Sequence, residues 1–450
     1  MNWRAAIAGG ALAALLIALL AVTGSVMAQA PDALQALTLP AAEALVLKRN
    51  RDIALARRAV EQAEADVISA GQKPNPQLSW LTQNINRSRG IGAGGLRDKT
   101  VDSIVSLAQT FERGDKAGLR VATAQLLSGA AGADLADSGR LALLAARAAY
   151  FDLLAAQEKL VSANDSAQLF ARTLEAARLR QRAGDLAGAD VARIGVDASR
   201  AQNDAAGAAA DVARGRIALA LLLAAEAEAG ALRAVSPWPP SSMTIAAPAL
   251  EEVVAARADV RAAATRVAAA DRARELAQSL RTRDLTVSVQ LEHWPASDAN
   301  PGGSGNSVGV GVSVPLFLRH SNEGAIARAQ ADWYAARDFL EKVKGEARAE
   351  LQRARGDLEA ARERRLRIDS ELLPRALQSA DAAEFAFRNG AIGVMDLLDA
   401  RRTLKSIQID ASSARADFAR AWAVWQANVE AAPALGAAPD EQAQMMEHKR

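Results

Sequence analysis

The chain has 450 residues, of which 50% are hydrophobic but only 4% are aromatic, and alanine-rich sequence of this kind favours long, closely packed helices. A formal net charge of +2 and the lack of basic patches with interleaved aromatic residues argue against a nucleic-acid partner. The absence of cysteine excludes disulfides, thiolate metal sites and lipid attachment through an N-terminal cysteine.

Residues 1–28 have the pattern of a signal peptide. Arg4 supplies the positive charge, residues 11–22 form an apolar run, and small residues up to Ala28 offer a cleavage site. A membrane anchor is the alternative, but the small-residue end and the early Pro31 favour export. We therefore expect an exported protein whose membrane attachment, if any, comes from its own fold.

The first half of the mature chain predicts helices and strands in a definite order. In chain order these are a helix starting near Pro40, a helix at residues 52–71, strands at 77–85 and 101–111, and helices at 115–182 and 188–229. A helix as long as the one at residues 115–182 would span roughly 100 Å. Helices of this length exceed the three to four turns of ordinary globular cores and are typical of a coiled-coil tube or arm.

The second half repeats that order. A Pro-rich linker at residues 236–249 is followed by a helix at 257–281, strands at 285–294 and 308–317, and helices at 322–387 and 394–430. We therefore predict two repeats, residues 39–235 and residues 250–430. Residues 431–450 are rich in Ala, Pro and Gln and are expected to be a disordered tail.

The strands of the second half alternate strictly between apolar and polar residues. Leu285, Val287, Val289 and Leu291 share one face of the first, and every second residue from Val308 is valine in the next. Strands of about ten residues are long enough to cross a bilayer when tilted. Four strands cannot close a barrel, and open edges are not tolerated in lipid, so a membrane interpretation requires several copies of the chain. The alternative is a soluble sheet that covers one end of a helical bundle.

A turn motif occurs twice, about 206 residues apart. Arg182, Gly184 and Asp190 in the first copy correspond to Arg388, Gly390 and Asp396 in the second. Asp396 and Asp399 lie three residues apart, so they share one face of the helix that follows the second glycine. Without further information, these carboxylates are expected to be solvated helix residues or partners of the helix dipole.

With these residues in view, the chain from about residue 39 to residue 430 resembles the TolC-like family of outer-membrane efflux proteins. The most specific stretches are P-N-P-x-L at residues 74–78, L-T-V-S-V-Q-L-E at 285–292 and V-G-V-G-V-S-V-P-L-F at 308–317. These stretches are most similar to the heavy-metal cation (CzcC-like) branch. The resemblance implies a mainly α fold with a β-barrel sector. Three copies would build a 12-stranded transmembrane barrel and a long periplasmic α-helical barrel.

The same resemblance implies the partners and location. The chain is expected to form a homotrimer in the outer membrane of a Gram-negative cell. Its expected partners are a periplasmic adaptor (membrane fusion protein) and an inner-membrane pump of the resistance-nodulation-division (RND) class. The implied function is an exit duct without enzyme activity or cofactor, exporting divalent heavy-metal cations. The alternatives are export of drugs or organic compounds, type I secretion, or a soluble periplasmic helical-hairpin adaptor or scaffold.

The resemblance also assigns roles to the repeated turns. Gly184 and Gly390 are expected at the adaptor-facing helix turns, and Asp396 and Asp399 at a charged, cation-sensitive and pH-sensitive pore constriction. Some family members latch the closed tip through a tyrosine paired with an aspartate, and through a basic residue. Here Asp190 occupies the aspartate position, but the other two positions read Phe387 and Ile392. Since neither side chain can form these polar pairs, the closed tip is expected to rest on apolar packing.

Metal and nucleotide motifs are weak. His293, His320 and His448 have no second histidine at ligand spacing, so no metal site is predicted. The glycine run at residues 90–95 lacks the lysine and following helix of a phosphate-binding loop. We expect any ion selectivity to lie in the pump and adaptor.

Overall fold

A computed structural model describes residues 34–85, 95, 100–242, 249–296, 301–430 and 435. The predicted signal peptide, the glycine run apart from Gly95, the tail apart from Leu435, and part of the predicted linker lie outside the described residues. Within them the chain is mainly helical, with four strands.

Both halves of the chain contain the predicted order of elements. In chain order these are α1 (Leu39–Arg49), α2 (Arg51–Gly71), β1 (Gln77–Gln83), β2 (Asp102–Phe111), α3 (Lys116–Arg182), α4 (Gly188–Leu222), α5 (Leu250–Ala256), α6 (Ala258–Ser279), β3 (Leu285–Trp294), β4 (Gly305–Ser313), α7 (Glu323–Arg367), α8 (Leu373–Arg388) and α9 (Val394–Val429). Helix α1 begins after Thr38, whose hydroxyl accepts a hydrogen bond from the Ala41 N–H, with Pro40 in the first turn.

The chain divides into two compact units. The helical unit comprises Met1–Leu55, Ala136–Arg257 and Ala347–Arg450, and the strand unit comprises Ala56–Leu135 and Ala258–Glu346. Each unit draws on both halves of the sequence, because α2, α3 and α7 each begin in one unit and end in the other. The boundaries proposed for the two sequence repeats stay predictions.

The strand unit contains one antiparallel sheet with the strand order β1-β2-β3-β4. Leu78 of β1 lies opposite Leu107 of β2, which lies opposite Val289 of β3, which in turn lies opposite Val310 of β4. Strands β1 and β4 are the two edges of the sheet, and within the described residues neither outer edge has a strand partner.

The helical unit is organised around the buried Tyr150 of α3. Its hydroxyl donates to the Leu37 carbonyl oxygen at 2.8 Å and accepts hydrogen bonds from the Val235 and Ser236 N–H groups. Leu37 and Ala234 also form a parallel bridge. One phenol therefore fixes both the segment before α1 and the beginning of the predicted linker.

Large side chains pack against alanine in the rest of this unit. Phe418 and Trp425 of α9 contact a buried group on α7 that includes Ala354 and Leu358. Small residues let helix backbones approach closely, which explains how so few aromatic residues fill a large helical core.

The strand limits differ from the predicted ones. Strand β4 runs over Gly305–Ser313 rather than residues 308–317, because Pro315 has no N–H to donate to a ladder. Strand β1 ends at Gln83 rather than at residue 85, since Asn84 takes a left-handed backbone conformation with φ 61°.

Two long helices are also shorter than predicted. The helix predicted at residues 322–387 is interrupted by a π-helical turn at Ile368–Leu372, where Pro374 removes a backbone donor and crowds the preceding turn. Helix α4 ends at Leu222 rather than residue 229, and a 3-10 helix follows at Glu226–Ala231.

No helix among the described residues is both long and apolar enough to cross a bilayer.

Candidate functional site

The two repeated glycines close two turns of the same geometry. Gly184 has φ +86° and Gly390 has φ +72°. In the first turn, the Gly184 N–H donates to Gln181 and the Asp185 N–H donates to Arg180. In the second, the N–H groups of Gly390 and the next residue donate to the carbonyls three and five residues earlier. This is the Schellman pattern, which uses glycine because the left-handed conformation disfavours a Cβ.

Each turn opens a helix with an aspartate at the same position. Asp190 and Asp396 are both the third residue of their helices, α4 and α9. The Asp396 carboxylate accepts a hydrogen bond from the Gly393 N–H at 3.2 Å. Asp396 thereby satisfies an otherwise unpaired backbone donor and complements the helix dipole. This supports the interpretation of Asp396 as a partner of the helix N-terminus, whatever further role it has.

The second carboxylate belongs to an ion network between helices. Asp399 is mostly exposed and pairs with Arg402 one turn later on α9. The same guanidinium binds Asp197 of α4, whose side chain is only 12% exposed. Arg402 therefore joins the hairpin formed by α8 and α9 to helix α4 of the first hairpin.

A second ion pair lies further along the same two helices. Lys405 of α9 donates to Asp204 of α4 at 2.8 Å. Within the second hairpin, Glu384 of α8 binds both Arg388 and Arg401. We call the pairs of Arg402 and Lys405 with α4 the inter-hairpin pairs.

Apolar residues fill the space between the hairpins at the level of the turns. Leu398 of α9 is buried in a cluster with Phe170 of α3 and Ile194 of α4, and Leu186 and Val394 pack against it. This contact between the hairpins is apolar, and its role in a closed tip stays a prediction.

Phe387 borders a cavity of about 220 Å³ beside that cluster. The cavity is also lined by Leu186, Val394, Leu397 and α3 residues that include Arg172 and Arg180. Ile392 is half-buried in the turn, and neither Phe387 nor Ile392 carries a polar side-chain group that could pair with Asp190.

The inter-hairpin pairs were not predicted from the sequence. Arg402 and Lys405 lie 205 and 201 residues from their partners Asp197 and Asp204, and charge spacing along one helix does not show which remote carboxylate a side chain meets. The only local signal is the spacing of Asp399 and Arg402 on one helix face.

In the strand unit, the apolar side chains predicted for one sheet face form continuous exposed rows. One row is Leu78, Leu107, Val289 and Val310, and the next is Trp80, Val105, Leu291 and Val308. Val310 is 74% exposed in the isolated chain. An exposed apolar patch of this extent requires a covering phase or partner.

The opposite sheet face is mainly polar and cross-linked, apart from the neighbouring Leu81 and Ile104. Ser79 and Ser106 hydroxyls lie 2.7 Å apart, the Thr110 and Thr286 hydroxyls lie 2.9 Å apart, and Ser307 donates to Glu292 at 3.2 Å. Glycines of β4 lie opposite the larger Gln290 and Ser288 of β3. The two faces thus have the contrast expected for lipid on one side and water on the other.

Charged pairs at the end of the sheet where α3 begins lower the pKa of two carboxyl groups. Arg120 donates two hydrogen bonds to Glu112, at 2.6 and 2.8 Å, and holds the pKa of that carboxyl below its usual range. Burial raises the pKa of Asp284, but hydrogen bonds from Lys116 and from the Arg113 N–H outweigh it, so the pKa lies below its ordinary value. Both carboxylates are therefore charged at neutral pH.

The described residues contain no group of three or more histidine or acidic side chains placed to hold a metal ion. His293 instead shares a 2.8 Å hydrogen bond with Asn306 across β3 and β4. His448 lies outside the described residues.

Comparison with known families and curated proteins gives similar sequences. Residues 249–424 match the family described as "Outer membrane efflux protein". The chain is 28% identical over 383 residues to the cobalt-zinc-cadmium resistance protein CzcC of Cupriavidus metallidurans, covering 83% of this chain and 85% of that protein. It is 29% identical over 318 residues to protein CyaE of Bordetella pertussis, covering 68% of this chain and 65% of that protein.

Solved structures share the fold. The outer membrane protein VceC of Vibrio cholerae matches with a TM-score of 0.69 at 18% identity, covering 87% of this chain and 95% of that chain. CusC matches with a TM-score of 0.71 at 14% identity, covering 90% and 95%. These likenesses confirm the predicted fold class, long helices combined with a barrel sector of four strands.

Proposed function

Because the chain is an outer-membrane efflux channel of the TolC-like family, we propose that it is the exit duct of a tripartite system that exports divalent heavy-metal cations. The proposed assembly is a homotrimer that works with a periplasmic adaptor and an inner-membrane RND pump. The channel is not an enzyme, as predicted, since the family consists of transport channels.

The metal substrate is supported mainly by the similarity to the cobalt-zinc-cadmium resistance protein, which extends over most of both chains. This is the observation on which the proposed substrate rests. The proposed duct is passive, and ion selectivity is proposed to reside in its partners.

The trimer is supported by the strands. One chain supplies a four-stranded sheet with two open edges, an apolar face and a polar face. In lipid, each unpaired backbone group at an open edge costs roughly several kcal/mol, so each edge of the sheet needs a strand from another copy of the chain. Three copies give the 12 strands that the family resemblance implies.

The turns at Gly184 and Gly390 are proposed as the adaptor-facing ends of the helices, with Asp396 and Asp399 at the constriction. Asp399 is mostly exposed and could therefore face a common axis in a trimer, although its ion pair with Arg402 partly offsets its negative charge. Asp396 lies one turn closer to the helix start on the same face. Three copies of each carboxylate around one axis would attract cations and respond to pH.

A growth experiment tests the substrate. A strain that lacks the gene is compared with the same strain carrying the wild-type gene, on cobalt, zinc and cadmium salts and on a set of organic dyes and detergents. We expect the deletion to lower the tolerated metal concentration severalfold and to leave tolerance of the organic compounds unchanged.

The opposite pattern would assign organic compounds as the substrate. Loss of export of a secreted polypeptide without either phenotype would assign secretion instead. Extraction of the protein from cells without detergent would contradict the channel assignment itself and favour the soluble adaptor alternative.

A further inference from the structure

The end of the sheet nearest α3 and α7 carries a group of arginines that the duct function leaves without a role. Arg113 follows β2, Arg281 and Arg283 precede β3, and Arg319 precedes α7. All four side chains are exposed. We call these four residues the basic collar.

The collar segments lie close together in the strand unit. The Arg113 N–H donates to Asp284 at 3.0 Å, between the two strands. Asn322, after the fourth collar residue, donates to the Leu280 carbonyl at 3.1 Å. The Arg283 guanidinium lies 5.5 Å from the centre of the Phe317 ring. Three chain segments thus bring the collar to one end of the sheet.

At this end of the sheet, the acidic residues and the collar arginines lie on opposite faces, because successive residues of a strand alternate between the faces. Glu112 and Asp284 fall at positions of the polar sheet face, and both are paired with cations, Arg120 and Lys116. Arg113 and Arg283 lie two residues beyond Phe111 and Leu285, which oppose each other on the apolar face. In extended chain, residues two apart point to the same side. The acidic charges are therefore neutralised on the polar side, while the collar arginines have no carboxylate partner among the described residues.

Exposed apolar side chains lie directly beside the collar. Leu316 and Leu318 follow β4 and are 65% and 84% exposed, and Phe111 is 53% exposed. They extend the apolar sheet rows up to the arginines. Arginine beside leucine and phenylalanine is the arrangement found where a membrane protein meets the headgroup layer, because the stem lies in the apolar phase and the guanidinium reaches phosphate.

We propose that the basic collar binds the phosphate groups of anionic phospholipids in the membrane leaflet at the end of the sheet where α3 and α7 begin. The ligand is a phospholipid and not a free phosphate ion, because the collar is an open surface and the apolar residues beside it can contact acyl chains. Guanidinium forks recognise phosphate oxygens by paired hydrogen bonds, which favours arginine at all four positions. The proposal rests on the outer-membrane placement of the sheet under the proposed function.

Lipid retention by the purified full-length oligomer tests the proposal. Native mass spectrometry would compare binding of phosphatidylglycerol and phosphatidylcholine with the same acyl chains. We expect the wild type to prefer phosphatidylglycerol by about tenfold or more. Replacement of Arg113, Arg281 and Arg283 by glutamine should bring the preference close to one, and replacement by lysine, which keeps the charge but not the paired hydrogen bonds, should retain only part of it.

The matched control removes three exposed arginines from the helical unit, Arg178→Gln, Arg200→Gln and Arg375→Gln, and should leave the lipid preference unchanged. Should the triple glutamine variant fail to assemble, Arg281→Gln and Arg283→Gln are measured singly, and each is expected to lower the preference severalfold.

An unchanged preference in the collar variants, or an equal loss in the control, would overturn the proposal. Displacement of the lipid by millimolar glycerol phosphate would assign a free-anion site, and collar variants that lose only adaptor binding would assign a protein partner; both outcomes overturn it. Lipid binding is read without any metal, so its failure is separate from failure of the proposed export function.

Discussion

Arg402 of α9 binds Asp197 of α4 and so connects the two hairpins whose turns are closed by Gly184 and Gly390. The same guanidinium holds Asp399. A polar link between the hairpins therefore exists. It lies about two helical turns or more beyond Asp190 and Ile392, the positions that correspond to the polar latch of some family members. The apolar cluster around Leu398 lies between this link and the turns, so the link adds to the apolar packing and does not replace it.

Loss of the Arg402 link should favour the open tip. In Arg402→Gln, Asp197 loses its partner although its side chain is only 12% exposed, and loss of such a partly buried pair costs about 1 kcal/mol or more. We expect a higher open probability and a larger mean conductance in planar bilayers. The control is Arg355→Gln, which breaks an exposed pair with Glu359 inside α7 and should not change conductance.

Asp197→Asn alone and the double variant Asp197→Asn with Arg402→Gln complete the test of that link. If the ion pair itself restrains the tip, the double variant should behave like Arg402→Gln, and the two effects should not add. Additive effects, or conductances equal to wild type in all three variants, would show that Arg402 does not restrain the tip.

Removal of charge at the proposed constriction should weaken cation binding. We expect Asp396→Asn with Asp399→Asn to raise single-channel conductance and to weaken block by divalent cations, because fewer carboxylates would face the pore axis. Asparagine is chosen rather than alanine because its amide oxygen can still accept the hydrogen bond from Gly393 that Asp396 accepts now. Loss of the helix cap is thereby separated from loss of charge.

The matched control for the constriction is Asp357→Asn with Asp381→Asn, two exposed carboxylates elsewhere in the helical unit. It removes the same formal charge and should leave block unchanged. Conductance and block that stay at wild-type values in Asp396→Asn with Asp399→Asn would mean that these residues only support the helix start.

The sequence predicted the turns and the strand faces but not the ion network, for a physical reason. Glycine at a left-handed position and alternation in β3 and β4 are local properties, visible within a few residues. The pairing of Lys405 with Asp204 depends on the rotation and register of two helices about 200 residues apart. The sequence indicates Asp399 as a candidate but does not show that Arg402 binds it. The interruption at Pro374 carried a local signal that the strong helical periodicity around it outweighed.

A side chain at Gly390 should destabilise the second turn. A Cβ there would meet no neighbour within 4 Å, so any cost comes from the left-handed backbone, about 1 kcal/mol. We expect Gly390→Ala to lower the unfolding temperature of the helical unit. Gly356→Ala is the control: this glycine lies inside α7 with the same open space, and alanine there should stabilise by about 0.5–1 kcal/mol. Equal effects at the two sites would contradict the backbone explanation.

Acid should weaken the strand unit through Glu112. Because Arg120 lowers the pKa of the folded-state carboxyl, the pair stabilises the fold above the unfolded value near 4.3, and this contribution is lost as pH falls through the folded pKa. We expect Glu112→Gln to cost about 1 kcal/mol at pH 7. Its difference from wild type in urea unfolding should shrink steadily below about pH 4. Glu61→Gln, in an exposed pair with Arg58, should cost under about 0.5 kcal/mol at pH 7. A Glu112→Gln difference that is independent of pH would show that packing, not charge, stabilises this site.

The apolar sheet face should reject a charge that the polar face accepts. Val310 and Gln290 lie on adjacent strands, β4 and β3, but on opposite faces, and Gln290 lies opposite Gly309, which leaves room for a longer side chain. A charged residue facing lipid near the bilayer centre costs about 2–4 kcal/mol. We therefore expect Val310→Arg to abolish heat-modifiable oligomers in outer-membrane fractions, while Gln290→Arg assembles and changes conductance only. Normal assembly of both variants would mean that water covers both faces of the sheet, which is the outcome that a soluble periplasmic protein would give.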